Sequence, residues 1–150
     1  MKINCKKLIF IIVITFLIGS FFSFFVGTSI YNEIERPKLS PPGIVFPIVW
    51  SILYILMGIS YYIVTENSND EGNTKIYFLQ LLVNSLWTLI FFGFKNFLLG
   101  WLWIVLLIIL LIIMIIKFYS VKKVAGLLQI PYLLWLFVAF YLNFSIYLLN

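Results

Sequence analysis

Apolar residues in this chain come in long unbroken runs, and polar residues collect at a few breaks between them. The runs cover residues 8–30, 44–64, 76–94, 97–116 and 124–149. Each approaches or exceeds the ~20 residues an α-helix needs to cross the ~30 Å hydrocarbon core of a bilayer, and none alternates like a half-buried strand. The breaks at 31–42, 65–75, Lys95-Asn96 and 117–123 carry every charged residue beyond the N-terminal lysines, so no Asp or Glu falls inside a run. The pattern predicts an all-α fold, an integral membrane bundle of five transmembrane helices. It reads as one domain over residues 1–150, because no polar block is long enough to fold by itself in water.

Lys2, Lys6 and Lys7 resemble the basic start of a signal peptide, and Gly19-Ser20 is small enough for a peptidase. The apolar run continues past that point through Phe21-Phe22-Ser23-Phe24-Phe25, so the reading is a retained helix. Lys and Arg fall unequally on the two sides of such a bundle: Lys2, Lys6, Lys7, Lys75, Lys117, Lys122 and Lys123 on one, Arg36, Lys38 and Lys95 on the other. The positive-inside rule then places the N-terminus in the cytoplasm and the loop at 36–43 outside, in what is expected to be the plasma membrane.

Polar and aromatic residues share faces within the runs. Gln80, Asn84, Trp87 and Phe91 recur at helical spacing, so two amides and two rings point the same way. A buried amide without a partner costs about 1–3 kcal/mol, and Gln80 and Asn84 are expected to turn inward, either as glue between helices or toward a ligand. Trp135, Ala139 and Asn143 repeat the pattern in the last run, with Pro131 expected to bend that helix at mid-membrane. Ala139, small between an indole and an amide, either admits a neighbouring helix or leaves room for a guest. Trp50, Tyr54 and Tyr61 form a third face. Trp101 and Trp103 suit an interfacial belt, whereas Trp87 and Trp135 fall near the middle of their predicted spans and should face the interior.

Between the first two runs lies Arg36-Pro37-Lys38-Leu39-Ser40-Pro41-Pro42-Gly43, a loop stiffened by its prolines. Rings, amides and tyrosine hydroxyls beneath a stiff loop describe an aromatic-lined cavity for a flat, largely apolar ligand. The cations Arg36 and Lys38 are placed to hold its peripheral carboxylates.

Composition narrows the chemistry. At 64% hydrophobic, 20% aromatic and 10% charged residues, with a mean hydropathy of +1.14, this is not a water-soluble domain. The net charge of +5 sits at the ends of the runs with no aromatic-interleaved basic stripe, so the partner is the lipid membrane and not nucleic acid. Histidine is absent, which removes the commonest general base, metal ligand and haem ligand. The lone Cys5 excludes an intramolecular disulfide or a thiolate cluster and reads as chemically silent. Neither a metal site nor a required cofactor is expected.

Tyr31, the Arg36 to Gly43 loop, Phe46, Trp50, Leu53-Tyr54 and Met57-Gly58 are arranged as in a known family, as are Gln80, Asn84, Trp87, Phe91-Phe92, Pro131-Tyr132, Trp135, Ala139 and Leu142-Asn143. Over roughly residues 20–150 the chain resembles the tryptophan-rich sensory protein or translocator protein family, TspO/MBR, which includes the peripheral-type benzodiazepine receptor. The resemblance implies a five-helix membrane bundle that often forms homodimers. It also implies a cavity under the first loop that binds porphyrins such as protoporphyrin IX, sterols or isoquinoline carboxamides. Carried over by position, the ligand-binding residues would be Tyr31, Pro42, Phe46, Trp50, Asn84, Trp87, Phe91, Trp135, Ala139 and Asn143, with Tyr54 beside them. Two departures stand out. Leu39 occupies a loop position where many members carry tryptophan, and no Lys or Arg follows the last tyrosines, so the sterol motif proposed for animal members is incomplete.

Three functions fit these residues. The first is a tetrapyrrole-binding sensor or receptor, with light-dependent porphyrin degradation implied for some family members and Trp50 and Trp135 as the candidate electron donors. The second is a transporter of such molecules, which lacks the repeats and intramembrane charges usual for alternating access. The third is a regulatory partner of other membrane proteins, with Gly19, Gly27, Gly58 and Gly100 as expected lipid-facing contact points.

Overall fold

A computed structural model describes residues 2–27 and 29–150, which are all helix, turn or irregular backbone. Eight α-helical segments follow in order among the described residues: α1 (Cys5–Gly19), α2 (Ser23–Val26), α3 (Ile30–Glu33), α4 (Val45–Asn67), α5 (Glu71–Thr88), α6 (Phe97–Val121), α7 (Lys123–Leu127) and α8 (Ile130–Leu149). A π turn, Leu89–Gly93, prolongs α5. Four stretches are long and apolar enough to cross a membrane: Val45–Asn67, Glu71–Gly93, Phe97–Val121 and Lys123–Leu149.

The first apolar run departs from the continuous helix expected over 8–30. With 15 residues, α1 reaches about 22 Å at ~1.5 Å per residue, short of the bilayer core. It stops where Ser20 and Ser23 turn their hydroxyls onto the backbone, at the carbonyls of Phe16 and Ser20, and so offer the chain an alternative to the helix ladder. Gly27 then takes φ 71°, a left-handed conformation glycine adopts without strain. Thr28, inside the same expected helix, lies outside the described residues.

Side-chain caps set the starts of α1, α5 and α6. Asn4 accepts from Lys7 N–H, Asp70 from Gly72 N–H and Asn96 from Leu99 N–H, each taking up a donor the first turn leaves free. The Gly72 N–H and the Lys117 ammonium hold the Asp70 carboxyl below the usual carboxylate range. That capping is therefore present above the unfolded carboxylate pKa and is lost as the pH falls through the lowered value. Lys117, expected to end its helix, instead reaches Asp70 at 3.6 Å from within α6, and α6 runs on to Val121. The break near Pro131 falls at Leu128–Gln129 and not at mid-membrane. Proline occupies the first turn of α8, where its missing N–H costs nothing.

α1 packs against α4 and α5, and α6 lies between α5 and α8. Their core holds Met57, Tyr77, Leu81, Leu107, Leu111, Met114, Phe118 and Leu136, all fully buried. Tyr61 and Tyr77 stack there with centroids 4.2 Å apart. The outside is apolar too: Phe10, Ile109, Ile116, Leu134 and Phe137 are at least half exposed, as lipid-facing positions must be. One end of the bundle carries the Lys7–Glu66 (2.6 Å) and Lys117–Asp70 pairs. At the opposite end Asn150 Nδ2 donates to the Glu35 carbonyl at 2.9 Å.

The glycines expected to face lipid mostly do not. Gly19, Gly58 and Gly100 are buried, and a Cβ at these positions would press on Tyr54, Ile12 and Phe91 respectively. They are the close approaches within one chain that its own helices need.

Candidate functional site

The loop at 36–43 is fastened to Tyr31, which α3 presents inward. The Tyr31 hydroxyl donates to the Pro41 carbonyl at 2.7 Å, and the Arg36 guanidinium lies over its ring at 4.3 Å. Below, Tyr31 meets Phe46 edge to face at 4.9 Å, and Phe46 meets Trp135 at 5.6 Å. These rings begin the wall of a cavity lined further by Trp50, Trp87, Phe91, Phe92, Ile104, Ala139, Leu142, Asn143 and Ile146. Most of its surface is aromatic or aliphatic, and its volume is about 20 Å³, room for one water molecule. The side chains have closed on one another.

Two amides on the predicted faces end in different places. Asn143 is in the wall. Its Oδ1 accepts from the Trp87 indole N–H at 3.0 Å and its Nδ2 donates to the Ala139 carbonyl, so the amide is occupied at both ends. Trp87 also stacks on Phe91, centroids 5.1 Å apart. Asn84 lies deeper and does not line the cavity. It accepts from Tyr54 O–H at 3.3 Å and donates to Tyr132 Oη at 2.7 Å, while Tyr132 O–H donates to Gln80 Oε1 at 2.9 Å. This buried chain ties α4, α5 and α8 together. Gln80 and Asn84 act here as glue between helices.

Of the expected ligand-binding residues, Tyr31, Phe46, Trp50, Trp87, Phe91, Trp135, Ala139 and Asn143 surround the cavity. Pro42, Tyr54 and Asn84 do not: Pro42 is exposed on the loop, and the other two belong to the network beneath. Trp50 bridges the layers, 5.6 Å from Tyr54 and 6.0 Å from Tyr132. Arg36 is spent on Tyr31, whereas Lys38 and Leu39 are exposed, Leu39 at 82%. Trp135 lies midway along 123–149 as expected, but Trp87 falls in the last third of 71–93, and both are half-buried.

Four wall residues were not anticipated as such. Leu142 and Ile146 follow Ala139 at i+3 and i+7 and were legible from helical spacing. Ile104 lies in an all-apolar helix with no polar face to orient it. Phe92 is brought in by the π turn, in which Phe94 N–H donates to the Leu89 carbonyl five residues back.

Residues 9–149 match the sequence profile of the TspO/MBR family. The tryptophan-rich protein TspO of Archaeoglobus fulgidus is 41% identical, covering 98% of this chain and 99% of its own length. Protein CrtK of Rhodobacter capsulatus is 40% identical over 80% of this chain and 78% of its own, and the human translocator protein is 31% identical over 87% and 80%.

Proposed function

Because this chain belongs to the TspO/MBR family of integral membrane proteins, we propose that it is a receptor of sensor type that binds protoporphyrin IX, or a similar flat apolar ligand, in the cavity under the first loop. The observation that carries this reading is the wall itself: Phe46, Trp50, Trp87, Phe91 and Trp135, from three helices, converge beside the small residue Ala139. Ring faces stack on a planar macrocycle, and no charge in the wall opposes its apolar body. Ligand cavities typically measure ~300–1,000 Å³, so the present 20 Å³ means that the rings must move apart to admit a porphyrin.

In this reading the segment from Cys5 to Glu33 makes the first of five crossings. Its start lies at the lysine-rich end with Lys7 on Glu66, and its far side at the loop end with Glu35 beside Asn150. The lysine-rich end faces the cytoplasm and the porphyrin-binding end faces outward.

The test is a titration of the detergent-purified protein with protoporphyrin IX in the dark, read by tryptophan quenching, in wild type and Ala139→Leu. Saturable quenching that the leucine weakens by about tenfold, ~1.4 kcal/mol, is the expected result. Equal or unsaturable quenching in both proteins would mean partition at the surface and would remove the cavity from the function.

A further inference from the structure

The closed cavity raises the question of which wall opens. The aqueous side is held by directional contacts: Tyr31 O–H on the Pro41 carbonyl, Arg36 over the Tyr31 ring, and the Asn150 amide exchanging two hydrogen bonds with the Glu35 backbone at 3.2 and 2.9 Å. The lipid side is built differently. Toward the lysine-rich end α1 packs against both α4 and α5. α1 ends at Gly19, against the ring of Tyr54, just below the level of Trp50 and Phe46. Above that level α2 takes its place, and it packs on the π turn. The contact is apolar: a Cβ at Gly93 would lie 3.6 Å from both methyls of Val26. Phe24, Phe25 and Phe94 around it are 66–74% exposed.

The π turn sets the place of Phe92 in this wall. With its five-residue hydrogen bonding, Phe92 lies edge-on to Trp87 at 5.7 Å and lines the cavity. In plain α-helical register the residue five positions on is rotated by about 140° from the first, and Phe92 would leave the wall.

Resting on the porphyrin reading of the cavity, we propose that ligand reaches it sideways from the bilayer, between α4 and the π turn where α1 stops short, with Phe92 as the gate. A flat apolar molecule is already concentrated in lipid, so this route spares it a passage through water and through the fastened loop.

The experiment uses the full chain in phosphatidylcholine nanodiscs, with Cys5→Ser to remove the native thiol. Val26→Cys with Gly93→Cys clamps α2 to the π turn when oxidised. Glu35→Cys with Asn150→Cys clamps the loop side. Protoporphyrin IX delivered from vesicles is followed by stopped-flow tryptophan quenching. The expected result is that oxidising the first pair slows association by about tenfold or more, reversibly on reduction, while oxidising the second leaves the rate unchanged. Phe92→Ala, which needs no cross-link, should speed both association and release several-fold. Equal rates in the oxidised and reduced first pair, or an unaltered Phe92→Ala, would overturn the side entrance and leave the cavity standing. Slowing by the loop clamp instead would place access on the aqueous side. Absence of saturable binding in the reduced proteins would overturn the porphyrin reading, and the entrance with it.

Discussion

Asn84 and Asn143 show how two residues of one type on adjoining faces come to separate roles. Asn143 meets the cavity with its amide engaged by Trp87 and Ala139, whereas Asn84 is a junction between two tyrosine hydroxyls below it. Removing the junction strands buried polar groups, at about 1–3 kcal/mol for each one left unpaired. Asn84→Ala should therefore lower the thermal midpoint in detergent, and Tyr132→Phe should do the same less severely, because Asn84 keeps Tyr54. A midpoint equal to wild type in Asn84→Ala would deny the network its structural part. Trp50 and Trp135 pose the chemical question. Both indoles line the cavity, and Trp50 lies within 6.0 Å of Tyr132. If they donate electrons to photo-excited porphyrin, replacing both by phenylalanine should abolish light-driven loss of porphyrin absorbance in a protein that remains helical by circular dichroism. Unchanged bleaching would take the indoles out of the photochemistry.

At the scale of helices, what could be read from the chain depended on whether hydrophobicity or local hydrogen bonding set the boundary. The runs at 44–64, 76–94 and 97–116 each fall within or close to a long helix, because burial in lipid and helix length answer to the same apolar count. The inward faces were legible for the same reason: Gln80, Asn84 and Asn143 are polar where lipid would penalise them, and all three are buried. Features set by single backbone bonds were not legible. Serine hydroxyls end α1 inside an apolar run, α6 continues past Lys117 while that lysine pairs with Asp70, and the π turn rotates Phe92 without any mark in composition. Gly126 is the helix-level case that a substitution can test. A Cβ there would stand 2.6 Å from Tyr119 Cβ and 2.9 Å from its Cα, where α7 folds back on α6. Backbone cannot give way as a side chain can, so Gly126→Ala should destabilise by about 1–3 kcal/mol, read as a lower unfolding temperature. A neutral substitution would show that the α6–α7 bend is loosely held.

For the whole molecule, the distribution of charge decides which way it sits. The lysine-rich end holds its form through Lys7 on Glu66 and Lys117 on Asp70, with Lys2, Lys6, Lys122 and Lys123 exposed around them. The opposite end has Arg36, Lys38 and Lys95, and Arg36 is engaged with Tyr31. Translocating the first end would mean carrying seven of the chain's ten cations across the bilayer instead of three, so the lysine-rich end is expected to stay in the cytoplasm. The chain carries its own reporter of this choice. Cys5 is its single cysteine, is exposed, and belongs to the first turn of α1 beside Lys6 and Lys7. A membrane-impermeant maleimide should leave Cys5 unlabelled in intact cells and label it once the membrane is permeabilised. Leu39→Cys in a Cys5→Ser background places a thiol at a loop position that is 82% exposed and should show the reverse, labelling in intact cells. Labelling of Cys5 from outside would invert the molecule, and the loop and the cavity beneath it would then open toward the cytoplasm.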